Sequence, residues 1–156
     1  MDGCIVFWVY NLRYRRIWSG VKISLKVEYA CRVLAQLAGT YGRSELPHVE
    51  ELARAEEIPS NYLVQILNEL RSGGLIVSRR GKQGGYALSR RPEEITLYDI
   101  ITAIDGEVLA ISGDSKGASG DRVSRAWAEI AAALEQHTKV VTLENFVADS
   151  RPMYYI

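Results

Sequence analysis

The stretch that decides the fold of this chain covers residues 74–88 and reads GLIVSRRGKQGGYAL. Two short apolar runs flank a turn that contains three glycines and three basic residues. Because glycine adopts positive φ angles at little steric cost, this composition predicts a β-hairpin with a tight, cationic tip. The hairpin directly follows an amphipathic helix predicted over residues 60–71. A helix with a basic hairpin behind it is typical of a winged helix-turn-helix, in which the helix enters the major groove of DNA and the hairpin reaches phosphates or the minor groove.

The helix predicted over residues 60–71 has an apolar face and a polar face. The apolar residues recur at helical spacing and are Leu63, Ile66, Leu67 and Leu70. The candidate DNA-contacting residues on the opposite face are Ser60, Asn61, Val64, Gln65 and Asn68, of which the last four are candidates for reading bases. Amide side chains bond bidentately to adenine, whereas long acidic side chains would be repelled by phosphate. An ordinary solvent-exposed face would look the same, and the neighbouring basic hairpin is what favours DNA.

Basic residues cluster around the hairpin. The chain of 156 residues has a formal net charge of zero and is 47% hydrophobic, which suits one or two small domains and excludes a generic polyanion binder. From residue 71 to residue 91, however, the sequence has six basic residues and no acidic one. A local basic patch on a neutral protein is typical of a DNA-contacting surface. Within it, the candidate contacts to phosphate or the minor groove are Arg79, Arg80 and Lys82.

The remaining patterns predict a mainly α-helical fold with a small β-hairpin wing. The predicted helices cover residues 25–40, 48–55, 60–71, 97–104 and 121–136, and a last short helix begins at residue 142. The apolar face of the first helix is expected to hold Leu25, Tyr29, Val33 and Leu37. Ser24 caps this helix, and Thr96 with Asp99 forms a capping-box-like start for the fourth. We therefore assign residues 21–105 to a winged helix-turn-helix DNA-binding domain.

The helix predicted over residues 121–136 carries a coiled-coil-like seam. Its large apolar residues recur at i, i+4, i+7 and i+11, and they are Val123, Trp127, Ile130 and Leu134. The seam could pack on its own domain, but a helix beyond a loop more often buries such a seam against a partner subunit. We therefore predict a dimerisation helix and C-terminal tail over residues 121–156, preceded by a cysteine-free loop over residues 106–120.

Residues 1–20 and the two cysteines point to no particular chemistry. Residues 1–20 have no clear period, and we expect them to be an N-terminal extension from a misannotated start; an ordered N-terminal strand or arm is the rival interpretation. Cys4 and Cys31 are too few for a disulfide framework or a metal site, and no apolar run reaches membrane-spanning length, so we expect a cytoplasmic protein. Cys31 is either a thiol sensor or, more simply, a buried inert thiol. No catalytic cluster stands out, which argues against an enzyme.

Motifs spread over residues 22–146 closely resemble the Rrf family of bacterial winged-helix regulators. The residues that carry the resemblance are Lys22-Ile23-Ser24, Ile58-Pro59, Tyr62-Leu63, Gln65-Ile66-Leu67, Gly74-Leu75-Ile76, Arg80-Gly81, Gly84-Gly85-Tyr86, Ile95-Thr96-Leu97 and Thr142-Leu143. The resemblance implies a homodimer, crossed through its long C-terminal helices, that binds a pseudo-palindromic double-stranded DNA operator. Half-sites of such an operator lie about one helical turn apart, roughly 34 Å, or a multiple of that distance.

The departures from the family pattern concern the cofactor and one base contact. Cluster-binding members carry three cysteines in the loop before the long helix, whereas residues 106–120 contain none, so the resemblance implies a member without an iron–sulfur cluster. Glu28 stands where some members supply an oxygen ligand, and we interpret it as a surface or structural acid. Some members have a Glu at the position of Val64, which in this chain could touch a thymine methyl group instead.

The C-terminal residues Met153-Tyr154-Tyr155-Ile156 resemble the tails of members that control cysteine metabolism. They also resemble the Ile-ending tails by which serine acetyltransferases enter the active site of cysteine synthase, O-acetylserine sulfhydrylase. This predicts a repressor of sulfur or cysteine metabolism that binds cysteine synthase through Tyr154, Tyr155 and Ile156. The alternatives are a tail that packs on the dimer or frays, a redox- or small-molecule-responsive repressor of another regulon, and an interaction module that modulates cysteine synthase without binding DNA.

Overall fold

The computed structural model of the protein describes residues 23–81, 84–109 and 115–147. Within these ranges the helices are α1 (Leu25–Gly39), α2 (Val49–Glu56), α3 (Ser60–Ser72), α4 (Leu97–Ile104) and α5 (Gly120–Val140). The strands β1 (Ile76–Arg79) and β2 (Gly85–Leu88) form an antiparallel pair, and single 3₁₀ turns lie at Pro92–Glu94 and Leu143–Phe146. The predicted class, mainly α with a small hairpin, is confirmed. Residues 1–20, Lys82 and the tail from Tyr154 to Ile156 lie outside the described residues.

Helix α1 begins as predicted, but the set of residues that it buries differs from the prediction. The Ser24 hydroxyl accepts a hydrogen bond from the backbone N–H of Val27 at 3.1 Å, which satisfies one free donor of the first turn. The buried residues of α1 are Val27, Ala30, Val33, Leu34, Leu37 and Ala38. Leu25, which was expected on this face, is 59% exposed. Around the axis of α1, Leu25 lies about a third of a turn or more from the centre of the buried stripe. The expectation for Leu25 was therefore wrong.

The core lies between α1, α2, α3 and the base of the hairpin. All four residues predicted for the inner face of α3 are buried, with at most 1% of their surface exposed: Leu63, Ile66, Leu67 and Leu70. Helix α2 contributes Leu52 and Ala53 to the same cluster. In the hairpin, Ile76 pairs with Leu88, and both side chains are buried. The wing is therefore fixed to the domain at its base.

Helix α4 begins at the capping box that the sequence predicts. The backbone N–H of Asp99 donates to Thr96 Oγ1 at 3.1 Å, and the Thr96 N–H donates to Asp99 Oδ2 at 2.9 Å. Two backbone donors that have no partner inside the helix are satisfied in this way. The observed bounds, Leu97–Ile104, agree with the predicted residues 97–104.

Helix α5 extends to Val140, four residues beyond the predicted residue 136. None of its described side chains is buried within the single chain. The four residues of the predicted seam are exposed, to 51% for Val123, 48% for Trp127, 46% for Ile130 and 37% for Leu134. Among the residues that the structure describes, the seam therefore remains an exposed apolar stripe.

After α5 the chain returns to the core formed by the preceding helices. The Leu143 N–H donates to the Ile95 carbonyl at 2.8 Å, and the Leu97 N–H donates to the Val141 carbonyl at 2.8 Å. The Leu143 side chain is fully buried in the same core as α3. Leu143 was predicted to belong to the dimerisation helix and tail over residues 121–156. Because Leu143 packs in the core, the segment after α5 also stabilises the part of the chain that precedes α5.

We expect Leu143→Ala to destabilise the protein by about 3 kcal/mol, because it leaves a cavity in a core that cannot fully collapse. The matched control is Leu25→Ala, since that leucine is 59% exposed and its truncation should change stability by at most about 0.5 kcal/mol. Urea unfolding followed by circular dichroism measures both free energies. Equal effects of the two substitutions would contradict the placement of Leu143 in the core.

Candidate nucleic-acid interface

The outer face of α3 presents all five predicted DNA-contacting residues. Because the inner leucines and Ile66 are buried, the opposite side of the helix is turned to solvent. The exposed residues on this side are Ser60, Asn61, Val64, Gln65 and Asn68. Val64 is 40% exposed and is the single large apolar side chain of the set. The structure therefore brings these residues onto one surface, which we call the reading face.

The three amides of the reading face differ in their hydrogen bonding. Asn61 Oδ1 accepts from the backbone N–H of Tyr62 at 2.9 Å, and Asn68 Oδ1 accepts from Arg71 Nη2 at 3.2 Å. In the part of the chain that the structure describes, the Gln65 amide has no hydrogen-bond partner. Both atoms of Gln65 are thus available for the bidentate contact to adenine that an amide can make.

The wing carries two exposed arginines beside the reading face. Arg79 pairs with Gly85 at the end of the ladder, and Arg80 follows in the turn. Both side chains are exposed, and neither forms an ion pair within the described ranges. Lys82, the third predicted wing contact, lies outside the described residues. Arg79 and Arg80 thus provide positive charge at the position where a wing meets DNA.

The turn end of strand β2 fits closely against the loop between α1 and α2. The Tyr86 N–H donates to the Pro47 carbonyl at 3.0 Å. Gly85 has a φ of +142°, and a Cβ atom there would lie 2.6 Å from the Leu46 carbonyl oxygen. A side chain cannot be accommodated at this distance, so glycine allows the loop and the wing to touch. The loop thereby sets the direction in which the wing projects.

Arg71 belongs to this surface, although it was not among the predicted site residues. Its Nη2 donates to Asn68 and its Nη1 donates to Ser78 Oγ at 3.5 Å. Asn68 lies on α3 and Ser78 on β1, so the guanidinium spans the junction between the reading face and the wing. The i, i+3 spacing from Asn68 was the signal in the sequence that could have identified it.

Two other arginines of the basic stretch are engaged within the protein. Arg90 Nη2 lies 2.9 Å from Asp99 Oδ2, and the Arg90 Nε donates to the Glu94 carbonyl at 3.0 Å. Arg91 lies 3.4 Å from Glu93 and 3.5 Å from Glu94. The stretch from residue 71 to residue 91 contains no acid, but folding brings acids from residues 93–99 to its end. The positive surface is therefore narrower than the sequence indicates, and it centres on Arg71, Arg79 and Arg80.

An ion pair ties α3 to α1 behind the reading face. Lys26 Nζ lies 2.8 Å from Glu69 Oε1, and both side chains are about one-third exposed. The hydrogen bond with Glu69 raises the pKa of Lys26 above its ordinary value. The contact is directional, and it opposes rotation of α3 about its own axis.

Cys31 and Glu28 both lie on α1. Burial, with a smaller contribution from the charge of Glu28, raises the pKa of the Cys31 thiol to about 11. Glu28 pairs with Arg32 one turn along the helix, at 2.8 Å, as a structural acid does. Within residues 23–81, 84–109 and 115–147, no group of three or more His, Cys, Asp or Glu side chains is arranged to hold a metal ion. None of the described helices is long and apolar enough to span a membrane.

Known proteins share this architecture. The structure is similar to that of CymR, described as the global cysteine regulator of B. subtilis, with a TM-score of 0.71 and 28% identity over 84% of this chain and 99% of that chain. The regulator IscR of Cereibacter sphaeroides is 32% identical over 133 residues, which are 83% of this chain and 86% of IscR. A helix-turn-helix regulator assigned in Mycobacterium tuberculosis is 40% identical over 91 residues, which are 58% of this chain and 56% of that protein.

The fold is that of a winged-helix protein, and the matched proteins are described as transcriptional regulators. Residues 23–149 match the Rrf2 family, described as iron-dependent transcriptional regulators, and the chain belongs to this family. The resemblance read from the sequence motifs is thereby confirmed. The chain spans little more than half the length of the mycobacterial relatives, whereas its match to IscR extends over most of that protein.

We expect the Cys31 thiol to react slowly at neutral pH, because alkylation requires the thiolate and a pKa of about 11 keeps the thiol protonated. In a Cys4→Ser variant, iodoacetamide should modify the folded protein at pH 7.5 about a hundredfold more slowly than the unfolded chain. The rate should continue to rise up to about pH 11. A folded-state rate that levels off near the ordinary thiol pKa of about 8.5 would contradict this prediction.

Proposed function

We propose that this protein is a sequence-specific, DNA-binding transcriptional repressor that acts as a homodimer. The observation that carries the proposal is the arrangement of the reading face on α3 beside the two exposed arginines of the wing. Neutral amides and one apolar side chain suit base edges in the major groove. Arg79 and Arg80 lie next to them, where phosphates flank that groove. Family membership supports the same function.

We assign some of these residues to the DNA bases and others to the DNA backbone. Asn61, Val64, Gln65 and Asn68 face base edges, with Val64 against a thymine methyl group. Ser60, at the start of α3, would bond a phosphate oxygen in this proposal. Arg80 enters a narrow minor groove, where the negative potential is concentrated, and Arg79 holds phosphate. Lys82 is proposed as a further contact on sequence grounds.

Arg80→Ala should weaken binding to the protein's own promoter DNA by about tenfold and lower the slope of log affinity against log salt by about 1. Fluorescence anisotropy over a range of salt concentrations measures both quantities. Arg91→Ala is the matched control, because it removes the same charge from an arginine that Glu93 and Glu94 already neutralise. If both variants lose the same affinity and the same slope, Arg80 is not a DNA contact.

The apolar seam of α5 supports the dimer. Four large apolar residues lie along one side of a 21-residue helix, and 37–51% of the surface of each is exposed in the single chain. A stripe of this kind costs hydrophobic free energy unless a second surface covers it. A second copy of α5 offers a self-complementary stripe, as two-fold symmetry requires. The seam residues are Val123, Trp127, Ile130 and Leu134.

Trp127→Glu should convert the dimer to a monomer, because it places a charge at the centre of the buried seam. Ala132→Glu is the matched control, since residue 132 lies on the opposite side of α5 and is exposed. Sedimentation equilibrium measures the two masses. Operator affinity should fall by more than tenfold in the monomer, since it loses the second half-site. A Trp127→Glu protein that remains dimeric would refute the proposed interface.

We also propose that the regulator works without an iron–sulfur cluster, although its family is described as iron-dependent. Such a cluster needs several thiolates, and the chain has two cysteines in all. One of these, Cys31, is held as a neutral thiol by burial. The donor set therefore does not fit a cluster. The same raised pKa argues against Cys31 as a redox sensor, because a sensor requires a reactive thiolate.

The regulon that we propose is sulfur or cysteine metabolism. The similarity to CymR, described as a cysteine regulator, supports this assignment, together with the resemblance of Tyr154, Tyr155 and Ile156 to tails that bind cysteine synthase. A carboxylate with an adjacent Ile suits backbone donors beside a small apolar pocket. In this scheme cysteine synthase binds the tail and thereby controls operator binding.

Removal of Tyr154, Tyr155 and Ile156 should abolish capture of cysteine synthase in a pull-down assay, because these residues would be the bound segment. Operator binding by the regulator alone should be unchanged. O-acetylserine should release the synthase from the intact chain, since it would compete for the same active site. Equal capture by the intact and shortened chains would reject the tail as the binding segment and leave the DNA-binding proposal untouched.

A further inference from the structure

We infer that Arg71 is a specificity-determining residue, because it fixes the Asn68 amide so that this position of the reading face selects guanine over adenine. The inference rests on the proposed DNA-binding function and deepens it. It comes from one junction in the structure, where the guanidinium of Arg71 lies between Asn68 on α3 and Ser78 on β1.

The chemistry of the contact fixes the orientation of the amide. A guanidinium has hydrogen-bond donors and no acceptor, so the atom of Asn68 that faces it must be the oxygen. Arg71 Nη2 lies 3.2 Å from that Oδ1. The Nδ2 group, with its two donor hydrogens, then remains for a base. The contact to Ser78 on β1 holds the guanidinium from its other side. The Arg71 side chain is therefore not free to change its orientation.

The charge of Arg71 also sets which base edge is favoured. Adenine presents an acceptor at N7 and a donor at N6, and an amide reads it by accepting and donating together. Beside Arg71, the adenine N6 hydrogens would approach an oxygen that already faces a positive charge. Guanine instead presents two acceptors, N7 and O6, to the donors of Asn68 and Arg71. The pair therefore disfavours adenine and favours guanine.

Gln65 provides the contrast within the same helix. No described group bonds its amide, so both atoms remain available and adenine is its natural partner. Two amides one turn apart on α3 are thus assigned opposite base preferences, and the difference arises from a neighbouring guanidinium. Gln65 is also the internal control, because substitutions at Arg71 should leave its preference unchanged.

The test begins with wild-type protein selecting from double-stranded DNA with about 30 randomised base pairs, enough for two half-sites one turn apart. Asn68→Ala then identifies the base pair that loses its preference. Wild-type protein should prefer guanine over adenine there by about tenfold, and Arg71→Ala should reduce the ratio to about threefold or less. Arg71→Lys, which keeps the charge and a donor, should retain most of the preference. The preference lost in Gln65→Ala should persist in both Arg71 variants.

The outcomes separate the two levels of the proposal. A wild-type protein that enriches no sequence refutes sequence-specific binding itself. If a site is enriched but Arg71→Ala weakens binding to guanine and adenine duplexes by the same factor, Arg71 is a phosphate contact and the inference is wrong. It is also wrong if Asn68→Ala changes no position, or if the position it identifies prefers adenine. Circular dichroism of each variant checks that these exposed substitutions leave the fold intact.

Discussion

The burial of one face of α3 is the interaction on which the rest of the structure depends. Leu63, Ile66 and Leu70 have no exposed surface, and each buried side chain of this size contributes about 1.5–3 kcal/mol. A rotation of α3 would expose these residues and bury Asn61 or Gln65, whose amides would lose water without gaining partners. The same free energy that holds the helix in the core thus decides which residues form the reading face.

The position of the wing follows from the same core. Leu75 and Ile76 continue the buried surface directly after α3, so the hairpin leaves the core at a defined point. The close contact of Gly85 with the α1–α2 loop then fixes its direction, since no side chain could occupy that space. Packing consequently holds the reading face and the wing on one side of the domain. The polar contacts of Arg71 at their junction affect only the orientation of neighbouring side chains.

The sequence predicts the parts of this structure that depend on neighbours along the chain. The 3.6-residue period identified the inner face of α3, and the spacing of Thr96 and Asp99 identified the start of α4. Contacts between distant residues were not predictable in this way. Leu25 has the right hydrophobicity but lies off the buried stripe of α1. The pairing of Arg90 with Asp99 depends on where the chain after β2 meets α4.

The candidate site shows the same limit. The identity of the exposed residues on α3 followed from periodicity, because each element presents a fixed set of side chains once its inner face is known. The hydrogen-bonding groups that each side chain has available could not be predicted, because they depend on partners from other elements. Asn68 and Gln65 look equivalent in the sequence, and the reach of Arg71 across to Ser78 distinguishes them. A similar argument applies to Leu143, whose place in the core depends on the return of the chain after α5.

That return also relates the dimer seam to the reading face. The end of α5 is joined to the start of α4 by the Leu97–Val141 hydrogen bond, and Lys139 lies 4.6 Å from the centre of the Tyr98 ring. Helix α4 is joined in turn to the root of the wing through Asp99 and Arg90. The direction of α5 is therefore set relative to the wing by contacts within one chain. In the proposed dimer, the separation of the two reading faces is then a property of the folded protomer, and operators whose half-sites are spaced differently are disfavoured because these contacts would have to break.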